Sequence, residues 1–344
     1  MKRKTKRLLW ALLPPLLLAI ALLVTQLLPR RQRPVTKPDG LLEVHFIDVG
    51  QGDSILIRQG GDAMLIDAGT EEAGQTVVDY LNRQGVASLT YAVGTHPHGD
   101  HIGGLDKVLR AIPTKTLLMP DIPGTTWDFE EVLDAAEDCG LRITAPEQGD
   151  TYSVGAALVT SLQSLDTDDY NNASLILRLD YGDHAFLFTG DAEAEAEAAL
   201  LRSRAPVDCD VLKVGHHGST TSTTEGFLRA ASPDFAVISC GVGNEYGHPH
   251  REIRDAFSES GIRVLRTDHH GTVVASTDGS ALTWNVELRD DGREIYVVDN
   301  RANVFHAPAC PGAESVSVQD KELRIAPRQE LRKQGCTPCN DCRP

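Results

Sequence analysis

The segment Thr95-His96-Pro97-His98-Gly99-Asp100-His101 puts four groups able to bind a metal ion into six positions. His96 and His98 stand two apart after the apolar run Tyr91–Val93, so an extended chain projects both to one side. Asp100 and His101 come where the chain turns toward Gly103-Gly104. Imidazoles and carboxylates crowded this way suit a pair of divalent ions better than they suit a core. The bland alternative is a solvated histidine-rich loop, and other pieces of the chain speak against it. Asp67 closes the run Ala63–Ile66 and either caps a turn or orients a metal-binding histidine from behind. Asp191 follows Ala185–Phe188 at a spacing that favours a ligand, although N-capping of the stretch from Ala192 is the competing role. His217 and Ser219 lie in a Gly-flanked loop, where a surface turn competes with phosphate contact or proton transfer. Asp48 and Asp53 flank Gly50-Gln51-Gly52 and either shape that turn or face substrate.

The His-x-His-x-Asp-His pattern resembles the metallo-β-lactamase superfamily. A closer likeness runs through Phe46–Ser54, Leu65–Gly69, Thr189–Asp191, Lys213–Ser219 and Tyr246–His250. In that order these segments resemble the motif series of the ComEC competence-protein nuclease domain, over about residues 41–288. The resemblance implies an α/β fold, the αββα sandwich, with a metal site at the sheet edges. It implies that His96 and His98 bind one ion, Asp100 and His101 the other, and Asp191 bridges them. His216 and His248 carry over as further ligands, with the one that closes the second site left open. Where many metallo-β-lactamase relatives have another histidine, the chain reads Tyr170-Asn171-Asn172-Ala173-Ser174. The Asn-Asn-x-Ser variant resembles the ComEC-type domains, with Asn172 near the metals or substrate. It leaves the first site poor in nitrogen ligands and admits Mn²⁺ beside Zn²⁺.

Two such ions activate water and polarise the bond under attack, so hydrolysis is the expected reaction class. Asp100 is expected to orient the attacking water and His217 to give a proton to the leaving group. Phosphodiesters suit the site because the ions offset their charge.

Positioning these groups calls for a large layered domain. The 344 residues are enough for two domains. Short β-rich runs (42–47, 54–57, 63–66, 175–179, 185–188, 235–238) alternate with helical stretches (75–84, 127–138, 192–201, 252–260). Early strands follow one another as hairpins, which predicts sheet packed on sheet with helices outside. Before them, Lys2, Arg3, Lys4, Lys6 and Arg7 precede an uncharged run from Leu8 to Leu28, long enough for one membrane pass. The basic flank predicts an uncleaved anchor with a cytoplasmic N-terminus and an extracellular body, a cleaved signal being the alternative. Residues 29–40 read as a Pro-rich, basic linker.

Residues 289–344 have a different character. Four of the seven cysteines lie there. His306 and Cys310 give His-x₃-Cys, and Cys339 and Cys342 give Cys-x₂-Cys, a set suited to one structural zinc. Cys336, also at Cys-x₂-Cys spacing, is an alternative ligand, and two disulfides are the alternative chemistry. Cys139, Cys209 and Cys240 read as core residues. The tail resembles the metal-binding domain of Ada-type DNA-repair proteins, with His306 at the methyl-accepting cysteine's place, which argues against methyl transfer.

Charge bears on substrate. Lys and Arg total 33 against 49 Asp and Glu, a net of −16. Residues 1–33 hold eight bases and no acid, so the remainder carries 25 bases against 49 acids, a net of −24. Such a surface repels polyanions at long range. The first expectation is a nuclease or phosphodiesterase acting on DNA. The others are a hydrolase of a small ester, lactam or cell-wall phosphodiester, and a non-catalytic module tethering DNA.

Overall fold

A computed structural model describes residues 39–344 apart from 123, 164, 287–292, 309 and 343. The expected anchor, Leu8–Leu28, lies outside the described residues. Among the described residues no helix is long and apolar enough to cross a membrane.

Two sheets face each other. The first has the order β15-β14-β1-β2-β3-β4-β5-β6, with β1 Leu42–Phe46, β2 Ile55–Gln59, β3 Asp62–Ile66, β4 Leu89–Val93, β5 Thr114–Leu118, β6 Ile143–Thr144, β14 Val273–Thr277 and β15 Leu282–Trp284. The second runs β13-β12-β11-β10-β9-β8-β7, from β7 Thr151–Val154, β8 Ala157–Gln163, β9 Ile176–Tyr181, β10 His184–Phe188 and β11 Val211–Lys213 to β12 Phe235–Ile238 and β13 Arg263–Arg266. In both, hairpin-connected antiparallel strands give way to parallel ones: β3 to β6 in the first sheet, β10 to β13 in the second.

The period of two in the sequence decides which layer each side chain enters. In β3, Met64 and Ile66 face the space between the sheets, whereas Ala63 and Leu65 face the outer helices. In β10, Phe186 and Phe188 point inward while Ala185 and Leu187 point to the other helical layer. Fully buried rings such as Phe46, Phe186 and Phe188 each contribute about 1.5–3 kcal/mol of transfer free energy. Helices Gly74–Arg83, Leu105–Ala111 and Trp127–Asp138 cover the first sheet. Ala194–Ser203, Glu225–Ala231 and Arg251–Glu259 cover the second. The result is a four-layered αββα sandwich.

Most predicted elements lie within two residues of their observed bounds. The helix expected from Ala192 starts at Ala194, because Glu193 is extended and Asn172 Oδ1 accepts the N–H groups of Glu193 and Ala196. Asp191 is therefore not its cap. Beyond residue 292, β16 Arg293–Asp299, β17 Val304–His306, β18 Lys321–Pro327 and β19 Thr337–Pro338 make a third sheet, β18-β16-β17-β19.

Candidate metal centres

The chemistry-bearing residues follow the carboxyl ends of β3, β4, β10, β11 and β12, where a strand stops and its loop need not pair. Asp67 leaves β3 with φ 58°, a left-handed turn that an aspartate tolerates. Its two oxygens accept from Thr95: Oδ1 from the backbone N–H at 2.8 Å, Oδ2 from the hydroxyl at 2.7 Å. This clamp fixes the chain after β4. His96 then lies fully buried, His98 precedes the short helix Gly99–Ile102, and Asp100 and His101 occupy its first turn.

Beyond β11, His216 and His217 both take positive φ, 48° and 54°, between Gly215 and Gly218. That costly backbone turns His217 inward, where it is 1% exposed. His101 Nδ1–H donates to Asp67 Oδ2 at 2.8 Å, and His217 Nδ1–H donates to the Ser239 carbonyl at 3.0 Å. With Nδ1 taken in both rings, each Nε2 presents a lone pair. His101 Nε2 faces Asp191 Oδ1 at 3.1 Å, and His217 Nε2 faces Asp100 Oδ2 at 3.1 Å. A lone pair set against a carboxylate is repulsive unless a cation, proton or metal ion, mediates.

The donor atoms of Asp100, His101, Asp191 and His217 all lie within 4.8 Å of one another. His101 Nε2 and Asp191 Oδ1 are buried and make no hydrogen bond. The set thus fits a divalent ion. Burial alone would lower both imidazoles, but Asp191, Asp67 and Asp100 lift His101 well above its ordinary value. Asp191, Asp100 and Asp53 likewise lift His217 to about 10. His96 goes the other way, lowered by burial and by His101.

On the other side of Asp191, His96 Nε2 lies 3.0 Å from His98 Nδ1 and 4.0 Å from Asp191 Oδ2. Asp191 Oδ2 thus lies 4.0 Å from His96 Nε2 and 3.6 Å from His217 Nε2. A cleft of about 540 Å³ opens over His98, Asp100, Asp191 and His217. Residues 47–242 match the metallo-beta-lactamase superfamily.

The chain belongs to the metallo-β-lactamase superfamily. Its relatives include ComE operon protein 3 of Bacillus subtilis (strain 168), 33% identical over 74% of this chain and 35% of that one. Competence protein ComA of Neisseria gonorrhoeae is 33% identical over 76% of this chain and 38% of the other. The chain thus spans little more than a third of the length of these relatives. Among solved structures, the metallo-beta-lactamase fold protein YhfI from Bacillus subtilis aligns with a TM-score of 0.46 at 13% identity, over 66% of this chain and 96% of that one.

Several metallo-β-lactamase site residues differ in place from the sequence reading. His217 occupies the position expected of His216 or His248, because the left-handed turn aims it inward. Its Nδ1 meets the Ser239 carbonyl at 3.0 Å, its Nε2 lies 3.1 Å from Asp100 Oδ2, and the residue lines the cleft. His216 Nε2 is 3.6 Å from Asp191 Oδ2, and its Nδ1 meets Thr221 Oγ1 and Glu193 Oε1. The His248 ring stands 5.6 Å from that of His216 and 6.2 Å from that of His217, in the pocket wall. Asn172 Oδ1 holds the helix start after Asp191. Ser219 Oγ bonds Thr221 Oγ1 at 3.0 Å and is buried, not part of a surface turn. Asp48 is exposed and accepts from Gly50 N–H, so it shapes the turn.

Asp53 does more than shape that turn: its Oδ2 pairs with Lys213 Nζ at 2.7 Å and its Oδ1 lies 3.4 Å from His217 Nδ1. The sequence reading gave Lys213 no role, although a lysine inside Val211–Val214 was a signal that something anionic lies within. Ser174 was also missed; its Oγ accepts from Asp191 N–H at 3.1 Å and lies 3.3 Å from His96 Nδ1.

A second group lies in the C-terminal sheet. His306, Cys310, Cys339 and Cys342 are buried, with donor atoms within 4.8 Å of one another, and the cysteines are free thiols. Cys310 Sγ is 3.6 Å from His306 Nδ1. A zinc tetrahedron with bonds of about 2.0–2.3 Å has edges of about 3.3–3.8 Å. Burial and the neighbouring Cys310 and Cys339 push the Cys342 thiol up, against the Ala307 N–H, which donates to its Sγ at 3.3 Å. Cys336 packs instead with Tyr296, Val298, Phe305 and Leu331. Cys139, expected in the core, is exposed.

Proposed function

We propose that this chain is a metal-dependent hydrolase of phosphodiesters, with DNA as its substrate, held at the outer face of the cell membrane by its N-terminal segment. The observation that carries the reading is the convergence of Asp100, His101, Asp191 and His217, with both Nδ1 atoms pinned so that both Nε2 atoms face carboxylates. Two divalent ions, zinc or manganese, would be held by His96 and His98 on one side, by Asp100, His101 and His217 on the other, and by Asp191 between them. Such a pair supplies activated water and offsets phosphoryl charge. The chain's own residues set the geometry: Asp67 and Ser239 hold the imidazoles, Ser174 holds the Asp191 loop, and Asp100, partly exposed to the cleft, orients the incoming water. His248 walls the cleft as a neutral imidazole, lowered to about 4 by burial and by His217, His250 and His216. The motif series shared with competence proteins supports DNA. In the C-terminal sheet, His306, Cys310, Cys339 and Cys342 would hold a structural zinc.

One observation favours a second reading, hydrolysis of a small ester or thioester. Glu71, Glu72 and Asp128 line the same cleft and oppose a polyanion. A hydroxyacylglutathione hydrolase of Chromohalobacter salexigens is 28% identical over 52% of this chain and 66% of its own length. The deciding assay gives the full chain, loaded with Mn²⁺ or Zn²⁺, single-stranded DNA, double-stranded DNA, bis-p-nitrophenyl phosphate and a glutathione thioester. Diester cleavage lost in His98→Ala supports the first reading. Thioester turnover alone supports the second, and no turnover by the loaded protein removes both.

A further inference from the structure

The loop after β12, residues 239–250, touches both metal groups. Half-buried Val242 packs against the cluster of Val297, Ala307, Cys310, Cys339 and Cys342 that surrounds the C-terminal donors. A Cβ on the next residue, Gly243, would lie 3.5 Å from the carbonyl oxygen of Asp341, between the ligands Cys339 and Cys342. A few residues on, the same loop forms a wall of the hydrolase cleft: Tyr246 stacks on His248 at 5.6 Å, with 19° between the rings, and both line the cavity.

The intervening residues are tied together. Asn244 Nδ2 donates to the Gly241 carbonyl at 2.9 Å and to the His248 carbonyl at 2.7 Å, and Asn244 Oδ1 accepts from His248 N–H at 2.9 Å. Gly241 N–H donates to Gln51 Oε1 at 3.2 Å, which joins the loop to another residue of the cleft. Val242 thus sits inside a loop whose two sides, Gly241 and His248, are joined through Asn244.

We propose that Val242 is a positioning residue through which the C-terminal metal centre holds the Tyr246–His248 wall of the hydrolase cleft. An ion on His306, Cys310, Cys339 and Cys342 fixes the Asp341 turn and the apolar seat under Val242. Loss of that ion loosens the seat and frees the wall. The inference rests on the metal-binding reading of both groups, and its primary readout is independent of turnover.

Hydrogen exchange on the zinc-loaded full chain tests it, comparing peptides over 241–248 with peptides over β9. Val242→Ala should keep the zinc content of the parent and speed exchange in 241–248 by about tenfold, with β9 unchanged. Val242→Ile should keep the slow exchange of the parent. Cys342→Ser should lose one zinc equivalent and speed the same segment. In whichever hydrolytic assay shows turnover, Val242→Ala should raise KM more than it lowers kcat. Exchange in 241–248 that stays at the parent rate in Val242→Ala overturns the proposal. So does zinc loss in Cys342→Ser that leaves the segment protected. Absence of turnover on every substrate would count against the hydrolase reading alone, because the exchange comparison still decides this one.

Discussion

Lys213 Nζ and Asp53 Oδ2 form an ion pair at 2.7 Å, with both side chains at most 2% exposed, beneath His217. The ammonium offsets the burial that would otherwise raise Asp53, whose carboxyl is held at about 2 by Lys213 and by His217 and His101. The pair joins the turn at Gly52 to the end of β11, so it fixes the floor on which His217 stands.

Removing one partner leaves the other charged in the interior. Lys213→Met should cost about 3–5 kcal/mol of stability. Asp53→Leu in the same chain should recover much of it, because two apolar groups replace a buried pair. The double variant should still bind metal at the Asp100 side more weakly than the parent. Urea midpoints together with metal titration check this; a Lys213→Met midpoint equal to the parent's would refute the buried-pair account.

Asp67 touches no ion in the proposed arrangement, yet it orients His101 and clamps Thr95. Asp67→Ala should lower metal affinity about 10–100-fold while the helices and sheets persist. Competition with a chromophoric chelator gives the affinity, and circular dichroism the fold. Unchanged affinity would mean that the Nδ1 bond does not govern the ligand.

Away from the metals, His184 is raised from its ordinary value chiefly by Asp210, whose Oδ2 lies 3.8 Å from His184 Nδ1. Asp210 is lowered, its burial outweighed by His184 and by the Ala185 N–H. The raised histidine contributes stability that is present below an unfolded pKa of about 6.5 and is lost as pH rises through its folded value. The lowered carboxylate contributes above about pH 4 and loses that share as pH falls. His184→Gln should therefore flatten the fall in stability on the alkaline side of about pH 6.5, by no more than about 1 kcal/mol. Denaturation curves across that range check it, and an unaltered slope would exclude the pair as its source.

In the C-terminal group, a Cβ on Gly312 would stand 3.0 Å from His306 Cε1, 3.1 Å from its Nδ1 and 3.3 Å from Cys310 Sγ. Gly312→Ala should push His306 off its ligand position and weaken zinc retention about tenfold or more, comparable to loss of an orienting contact. Gly226→Ala meets nothing within 4 Å and serves as the control. Zinc release to a chelator distinguishes them; equal release rates would show that this glycine is not needed for the site.

Much of the fold was legible because strand alternation and helix periodicity are local. The runs around β3 and β10 announced strands with two different apolar faces, and the two helical layers could be anticipated from the stretches between them. The third sheet was harder. Its strands pair residues such as Val297 and His306 across a turn, and its core mixes Val297 and Ala307 with Cys310, Cys339 and Cys342, which spacing alone reads as metal ligands.

The sequence by itself determined the inventory of the site: His96, His98, Asp100 and His101 are neighbours in the chain, so their convergence is set by local geometry at the end of β4. It also singled out Asp191, and His306, Cys310, Cys339 and Cys342 as a set. Only the tertiary structure decided between His216, His217 and His248, because adjacent residues differ in nothing but direction until the φ values at 48° and 54° aim one ring inward. The same holds for Lys213 and Asp53, 160 residues apart, whose pairing depends on which sheet edges meet. Spacing can report which groups are available; orientation and long-range pairing arise only when the sandwich closes and each buried polar atom must find a partner.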